Sequence, residues 1–184
     1  MRLRFNEAKT TQAAAHLLKL RSGKMSYMKL IKLLYLVDRE ALLRWGRPVT
    51  GDSYVSMSKG PVLSRTLDLA TDEPAPGEHS IWAEHISEPE HYEVRLVKPA
   101  ATDELSEAEV ALIEEIFGQH GKKNRWQLVD LVHQLPEWED PHGGAIPISY
   151  RDILRAGKKT EMEIAAIEGE LENVALADAI LPEK

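Results

Sequence analysis

The sequence predicts an α+β, mainly helical fold: a single domain with a buried central helix and a small antiparallel sheet. Three observations predict it. Residues 26–45 are apolar nearly all round a helix, with Leu30, Ile31, Leu33, Leu34, Leu36, Val37, Ala41, Leu42 and Leu43 covering most of its circumference, and such a helix belongs inside a core. Helix-starting pairs recur downstream: Ser106 with Glu109, Asn124 with Gln127, Ser149 with Asp152 and Thr160 with Glu163. Each places a side chain that can cap the first turn three residues before one that can reach back. Finally, Tyr92, Val94 and Leu96 alternate with His91, Glu93 and Arg95, the period of a half-buried strand.

The elements follow in order. Asn6 caps a first helix that runs to about Ser22 and is stopped by Gly23. Ser26 caps the second, which ends at Gly46. Pro48 and the Gly51-Asp52 pair cannot continue a helix, so 47–52 reads as extended chain with a turn, and 54–57 as a short strand. Pro61 suits the first position of a third helix over 61–70, because its missing N–H would be unpaired there anyway. Residues 72–78 form a loop. Residues 80–86 and 91–97 form two short strands around a turn at 87–90. A fourth helix ends near His120-Gly121, a fifth is stopped by Pro136, a sixth by Gly157, and a last, acidic helix follows Thr160. No repeat, low-complexity tract or linker divides the chain. The expected organisation is one domain over 1–157 followed by an acidic helix or tail over 158–184.

Composition narrows the function classes. With 184 residues, 43% hydrophobic and 29% charged, the chain has the makeup of a folded domain. The lack of cysteine excludes disulfides, thiolate nucleophiles and cysteine-held metals. The segment from Met1 to Glu7 has no apolar stretch of the kind that directs export, and the run from Leu33 to Val37 is far too short to span a bilayer. A cytoplasmic location is expected. The net charge of −7 is unevenly spread: residues 1–70 carry 13 Lys and Arg against 5 Asp and Glu, and residues 71–184 carry 10 against 25. The two halves either pair with each other in the fold or present opposite faces to a partner.

Chemistry-bearing motifs are few. There is no GxGxxG or GxxxxGK[ST] loop for phosphates and no GxSxG elbow for a nucleophilic serine. A metal site would have to come from scattered histidines; His85 and His91 could face each other across the expected hairpin, but no HExxH is present. No metal, cofactor or catalytic residue is expected, and the chain does not read as an enzyme. Asp38 falls on the buried side of the second helix, one turn from Leu34 and Leu42. A carboxylate there needs donors, and the backbone near Gly60-Pro61 is the expected source. Lys29, Lys32, Arg39 and Glu40 form the narrow polar stripe of that helix, which is expected to be exposed. Basic residues crowd the first two helices (Arg2, Arg4, Lys9, Lys19, Arg21, Lys24), which keeps open a nucleic-acid-binding regulator as the alternative. Trp45, Trp82, Trp126 and Trp138 are either core residues or interface anchors.

Several separated segments resemble one family. Met28-Lys29-Leu30-Ile31-Lys32-Leu33-Leu34-Tyr35-Leu36-Val37-Asp38 is similar to the Lys-x-x-Lys-Leu-Leu-Tyr signature of the Panacea domain, the SocA-like antitoxins also known as phage-associated GepA-like proteins. Gly46-Arg47-Pro48-Val49, then Gly60-Pro61-Val62, then 128–133 with His133 and Trp138, then 148–154 resemble the later elements in the same order. The resemblance covers about residues 8–157. Ser56-Met57 and Lys59 depart from its pattern, as does the lack of an aromatic after Pro61.

The resemblance implies function by partnership. It implies an antitoxin that binds a cognate toxin protein directly, with a second capacity as an adaptor delivering that toxin to a bacterial AAA+ protease, and no membrane partner. On that reading Lys29, Lys32, Tyr35, Arg39 and Lys59 are the expected partner-binding residues. Leu33, Leu34, Asp38, Gly60, Pro61, His133 and Trp138 are the expected structural motif.

Overall fold

A computed structural model describes residues 3–72 and 79–180. Helix α1 (Glu7–Leu20) starts where Asn6 Oδ1 accepts the Lys9 N–H at 2.8 Å. It ends before Ser22 and Gly23, both with left-handed backbone. A short strand β1 (Lys24–Ser26) leads into α2 (Tyr27–Trp45), which Gly46 closes at φ 72° while donating to the Leu42 carbonyl. The burial expected of α2 is present: Leu30, Leu33, Leu34 and Leu42 have no exposed surface. They pack in one core with Leu17 and Leu18 of α1.

After α2 the chain forms a hairpin of β2 (Tyr54–Met57) and β3 (Gly60–Leu63), with Tyr54 opposite Leu63 and Met57 opposite Gly60. Helix α3 (Ser64–Thr71) follows. The helix expected from Pro61 therefore begins three residues later, and Gly60-Pro61 is strand. Gly60 sits at φ +96°, outside helical space, and Pro61 lies on an edge strand where its missing N–H disturbs no ladder. The first turn of α3 is capped from a distance. Asp52 accepts N–H groups from Arg65 and Thr66 and the Thr66 hydroxyl.

The next segment also departs from expectation. Residues 80–86 hold a short helix α4 (Ile81–His85) rather than a strand, with Ser80 Oγ capping Ala83 N–H and Trp82 buried. The expected strand 91–97 contracts to β4 (Glu93–Arg95), and its partner is β1, with Met25 opposite Val94. Only the isolated Ile86–Leu96 bridge joins the two segments expected to pair. Of the loop expected over 72–78, residues 73–78 lie outside the described residues, as does Arg2 of the basic cluster.

Helices α5 (Glu107–His120), α6 (Arg125–Val132) and α7 (Tyr150–Ala156) begin at the Ser106, Asn124 and Ser149 capping boxes. All three contribute to the core around α2 through Ile113, Leu128, Val132, Ile153 and Leu154. An unforeseen strand β5 (Ile146–Ile148) adds to the free side of β2, giving the order β3-β2-β5. Helix α8 (Glu161–Ile180) packs on α7 with Ile164 and Leu171 buried, and Arg151 and Arg155 of α7 pair with its glutamates. The result is a mainly helical α+β domain built around α2.

Candidate functional site

The residues singled out on α2 recur every three positions: Lys29, Lys32, Tyr35, Asp38. Three residues turn a helix about 60° short of a full circle. The row therefore winds half-way round α2, and each polar head meets a different neighbour. Lys29 Nζ donates to the carbonyls of Gly121 (2.5 Å) and Lys123 (2.7 Å) in the α5–α6 loop. Lys32 Nζ donates to the Pro61 carbonyl of β3 at 2.7 Å. The Tyr35 hydroxyl donates to Glu137 Oε1 at 3.1 Å, and Arg39 Nε meets the same oxygen at 2.6 Å.

Asp38 closes the row. Its carboxylate accepts N–H groups from Val49 (2.9 Å) and Thr50 (3.0 Å), the Tyr54 hydroxyl (3.0 Å) and the Thr50 hydroxyl. The expected need for donors is met, but the donors come from 49–54 and not from Gly60-Pro61. Gly60 is instead covered by Val132, Lys32 and His133. Complete burial pushes the Asp38 pKa up to about 6, with the Thr50, Tyr54 and Val49 donors pulling the other way. Burial likewise lowers Lys32 to about 7, and lowers Lys29 with the help of Arg21. The Tyr35 hydroxyl is raised by burial and by Glu137.

The exposed polar stripe expected on α2 is thus corrected. Lys29 is 6% exposed, Lys32 1% and Tyr35 0%, and Arg39 is half-buried. The apolar stems are enclosed, and the polar heads find acceptors on other elements. Of the five residues expected to bind a partner, Lys59 at the β2–β3 turn stands exposed. The residues expected as a structural motif fall in separate surroundings, Asp38 against 49–54 and Gly60 against Val132, Lys32 and His133. Leu33 and Leu34 are core; His133 stacks on Trp138 with centroids 4.0 Å apart, and the Trp138 indole donates to the Met57 carbonyl at 3.0 Å. Glu137 and Asp52, which the sequence reading did not single out, are the acceptors that join these elements. The one signal for Glu137 was its place beside Trp138.

No substrate could reach Asp38, which has no exposed surface. Among the described residues no three His, Asp or Glu converge as metal ligands; His85 Nδ1 lies 3.2 Å from the Lys98 carbonyl, and His91 falls in the turn before β4. The basic cluster on the first two helices is partly taken up within the molecule: Lys9 pairs with Glu109 at 2.7 Å, and Lys29 and Lys32 are buried, whereas Arg21 and Lys24, the latter 3.6 Å from Glu93, line a surface hollow. Trp82 is buried, whereas Trp45 and Trp126 are exposed.

A family model described as antitoxin SocA-like, Panacea domain, matches residues 30–139. The chain belongs to this family. The matched span runs from the first buried turns of α2 through Trp138, so it contains Lys32, Tyr35, Asp38 and Arg39 together with their partners Pro61, Glu137, Val49, Thr50 and Tyr54. The Panacea match thus contains the pins at Lys32, Tyr35, Asp38 and Arg39, while Lys29, α7 and α8 lie outside it. No curated protein and no solved structure gives a match. No helix among the described residues is long and apolar enough to cross a membrane.

Proposed function

We propose that this Panacea protein is an antitoxin that neutralises a cognate toxin by binding it directly. The observation that carries the reading is the family match over residues 30–139. The buried pins support a scaffold role for α2: its polar side chains are spent on loops of the same molecule, which leaves the loops themselves to meet a partner. The role is non-catalytic, with residues 1–157 as the working domain and 158–184 as an attached acidic helix, and the protein acts in the cytoplasm. The pairing of Lys9 with Glu109 and the burial of Lys29 and Lys32 remove three cations from the surface that the nucleic-acid alternative would use.

Co-expression tests the proposal. The tagged chain is produced with the product of the adjacent gene, and growth and co-purification are followed together. Relief of growth arrest with a complex of fixed stoichiometry is the expected result; an untouched arrest with no complex overturns the proposal. Comparing toxin half-life in cells with and without AAA+ proteases separates blocking, in which the toxin persists, from adaptor delivery, in which it disappears only when the protease is present.

A further inference from the structure

The two loops pinned by Lys29 and Lys32 emerge side by side and build one exposed surface. Lys59 at the hairpin tip lies over the Trp126 ring, 5.6 Å from its centroid. The Arg125 guanidinium lies between two rings, 5.3 Å from Trp126 and 5.5 Å from Tyr92. Tyr92 in turn stands 6.5 Å from Tyr27. Trp126 is 51% exposed and Tyr92 64%, so large rings that could have been buried face solvent with cations on their faces.

Two hollows flank this aromatic row. On one side a groove of about 250 Å³ has an apolar floor of Met28, Ile31, Met57, Val62 and Leu67, and Tyr27 and Lys59 form part of its wall. On the other a hollow of about 460 Å³ is rimmed by Arg21, Lys24, Lys122, Lys123 and Arg125. The row is also held under strain. Tyr92 has φ 66°, its neighbour His91 φ 52°, and Ser22 on the rim φ 64°. A bulky residue with left-handed backbone is disfavoured and persists where the surroundings or a function demand it.

We infer that this surface, centred on Lys59, Tyr92, Arg125 and Trp126, is where the partner docks, and that the partner offers an acidic segment carrying apolar or aromatic side chains. The inference rests on the antitoxin reading and deepens it by naming the surface and the chemistry of the toxin segment. Charge complementarity selects the occupant: the protein is −7 overall, yet Arg21, Lys24, Lys122, Lys123 and Arg125 line this hollow against one carboxylate, Glu93. The apolar groove beside them distinguishes a protein segment from a polynucleotide, since methionine and aliphatic side chains accept apolar side chains and offer phosphates nothing.

The test uses four variants of the full chain: Trp126→Ala, Arg125→Glu, Lys59→Glu and Tyr92→Gly. Trp45→Ala is the matched control, an exposed tryptophan at the far end of α2, about 27 Å away along the helix. Each is co-expressed with the adjacent gene's product. Each is also titrated by fluorescence anisotropy against two labelled probes, a synthetic Glu-Phe-Glu-Leu repeat peptide and an oligothymidine strand. The inference expects rescue and complex formation to survive Trp45→Ala and to weaken about tenfold or more in Trp126→Ala and Arg125→Glu. It expects the peptide to follow the same order, with binding weakened by salt, and oligothymidine to bind less tightly than the peptide.

Tyr92→Gly gives a readout that misfolding cannot imitate. It removes the ring and relieves the φ strain together, so the variant melts no lower than wild type while losing affinity. If wild type rescues and all four variants rescue equally, the docking surface is wrong and the antitoxin reading stands. If wild type neither rescues nor forms a complex, the antitoxin reading itself fails. Oligothymidine binding more tightly than the peptide, and lost in Trp126→Ala, would make the surface a nucleic-acid site and overturn the inference.

Discussion

Lys32 and Gly60 share one small volume: a β-carbon on Gly60 would stand 3.3 Å from Lys32 Nζ and 2.5 Å from Val132 Cγ2. The amine occupies space that any other residue at 60 would claim, and it uses that position to hold the Pro61 carbonyl. Gly60→Ala is expected to destabilise the protein by about 2–4 kcal/mol, combining backbone strain at φ +96° with overpacking against Val132. Urea denaturation of the two proteins measures it; an unchanged midpoint would show that Val132 moves aside freely.

Lys32 also predicts a pH dependence. Its folded-state pKa is about 7 against an ordinary 10.5, so between those values the unfolded chain holds the extra proton. Stability from this group therefore rises with pH above 7, by up to about 1.4 kcal/mol per unit, and is lost as pH falls through 7. Lys32→Met, which keeps the stem and removes the amine, has no such term. Relative to that variant, wild type should gain in urea midpoint from pH 7 to pH 9. A constant difference would mean that the amine stays charged in the fold.

Asp38 shows the opposite sign. Its pKa is raised from 3.8 to about 6, so its contribution is fully present below about 4 and is lost as pH rises through 6. Asp38→Asn should remove this slope. It should also cost little at neutral pH, because Oδ1 can still accept the Val49 and Thr50 N–H groups and the hydroxyls of Thr50 and Tyr54 can turn to accept from the amide. Asp38→Ala strands all of those donors and is expected to cost about 3 kcal/mol or more. Equal losses in the two variants, read from thermal melts, would refute this division.

The acidic last helix is expected to contribute to stability through two side chains. Ile164 and Leu171 are 0% and 2% exposed, whereas Met162 on the same helix is 84% exposed. Alanine at 164 or 171 should cost about 2–4 kcal/mol and alanine at 162 less than about 0.5. Differential scanning calorimetry would show whether α8 melts with the body. A separate early transition that the first two variants alone shift would mean that it does not.

Much of this fold was legible locally. The burial of α2 followed from its apolar circumference, and the starts of α5, α6 and α7 from caps that lie within three residues of the groups they bond. What was missed depends on distant partners. The start of α3 is set by Asp52, 13 positions before Arg65 in the chain, so Pro61 looked like the better beginning. Lys29 and Lys32 looked like a solvated stripe because their acceptors lie 92 and 29 positions away. The aromatic surface joins residues from four separate segments, and no window of sequence contains it.

The acceptors held by Lys29, Lys32 and Trp138 share one property: Gly121, Lys123, Pro61 and Met57 are all held by their main-chain oxygens. A carbonyl is the same on every amino acid. Lys29, Lys32 and Trp138 therefore grip the loops in a way that is blind to what those loops spell, and the side chains at 58–59, 122–123 and 125–126 can be rewritten without loosening the grip, with Asn124 kept as the cap of α6. A fold built like this separates the question of where a loop sits from the question of what it recognises. Exchanging those few letters is then the shortest route to a new specificity.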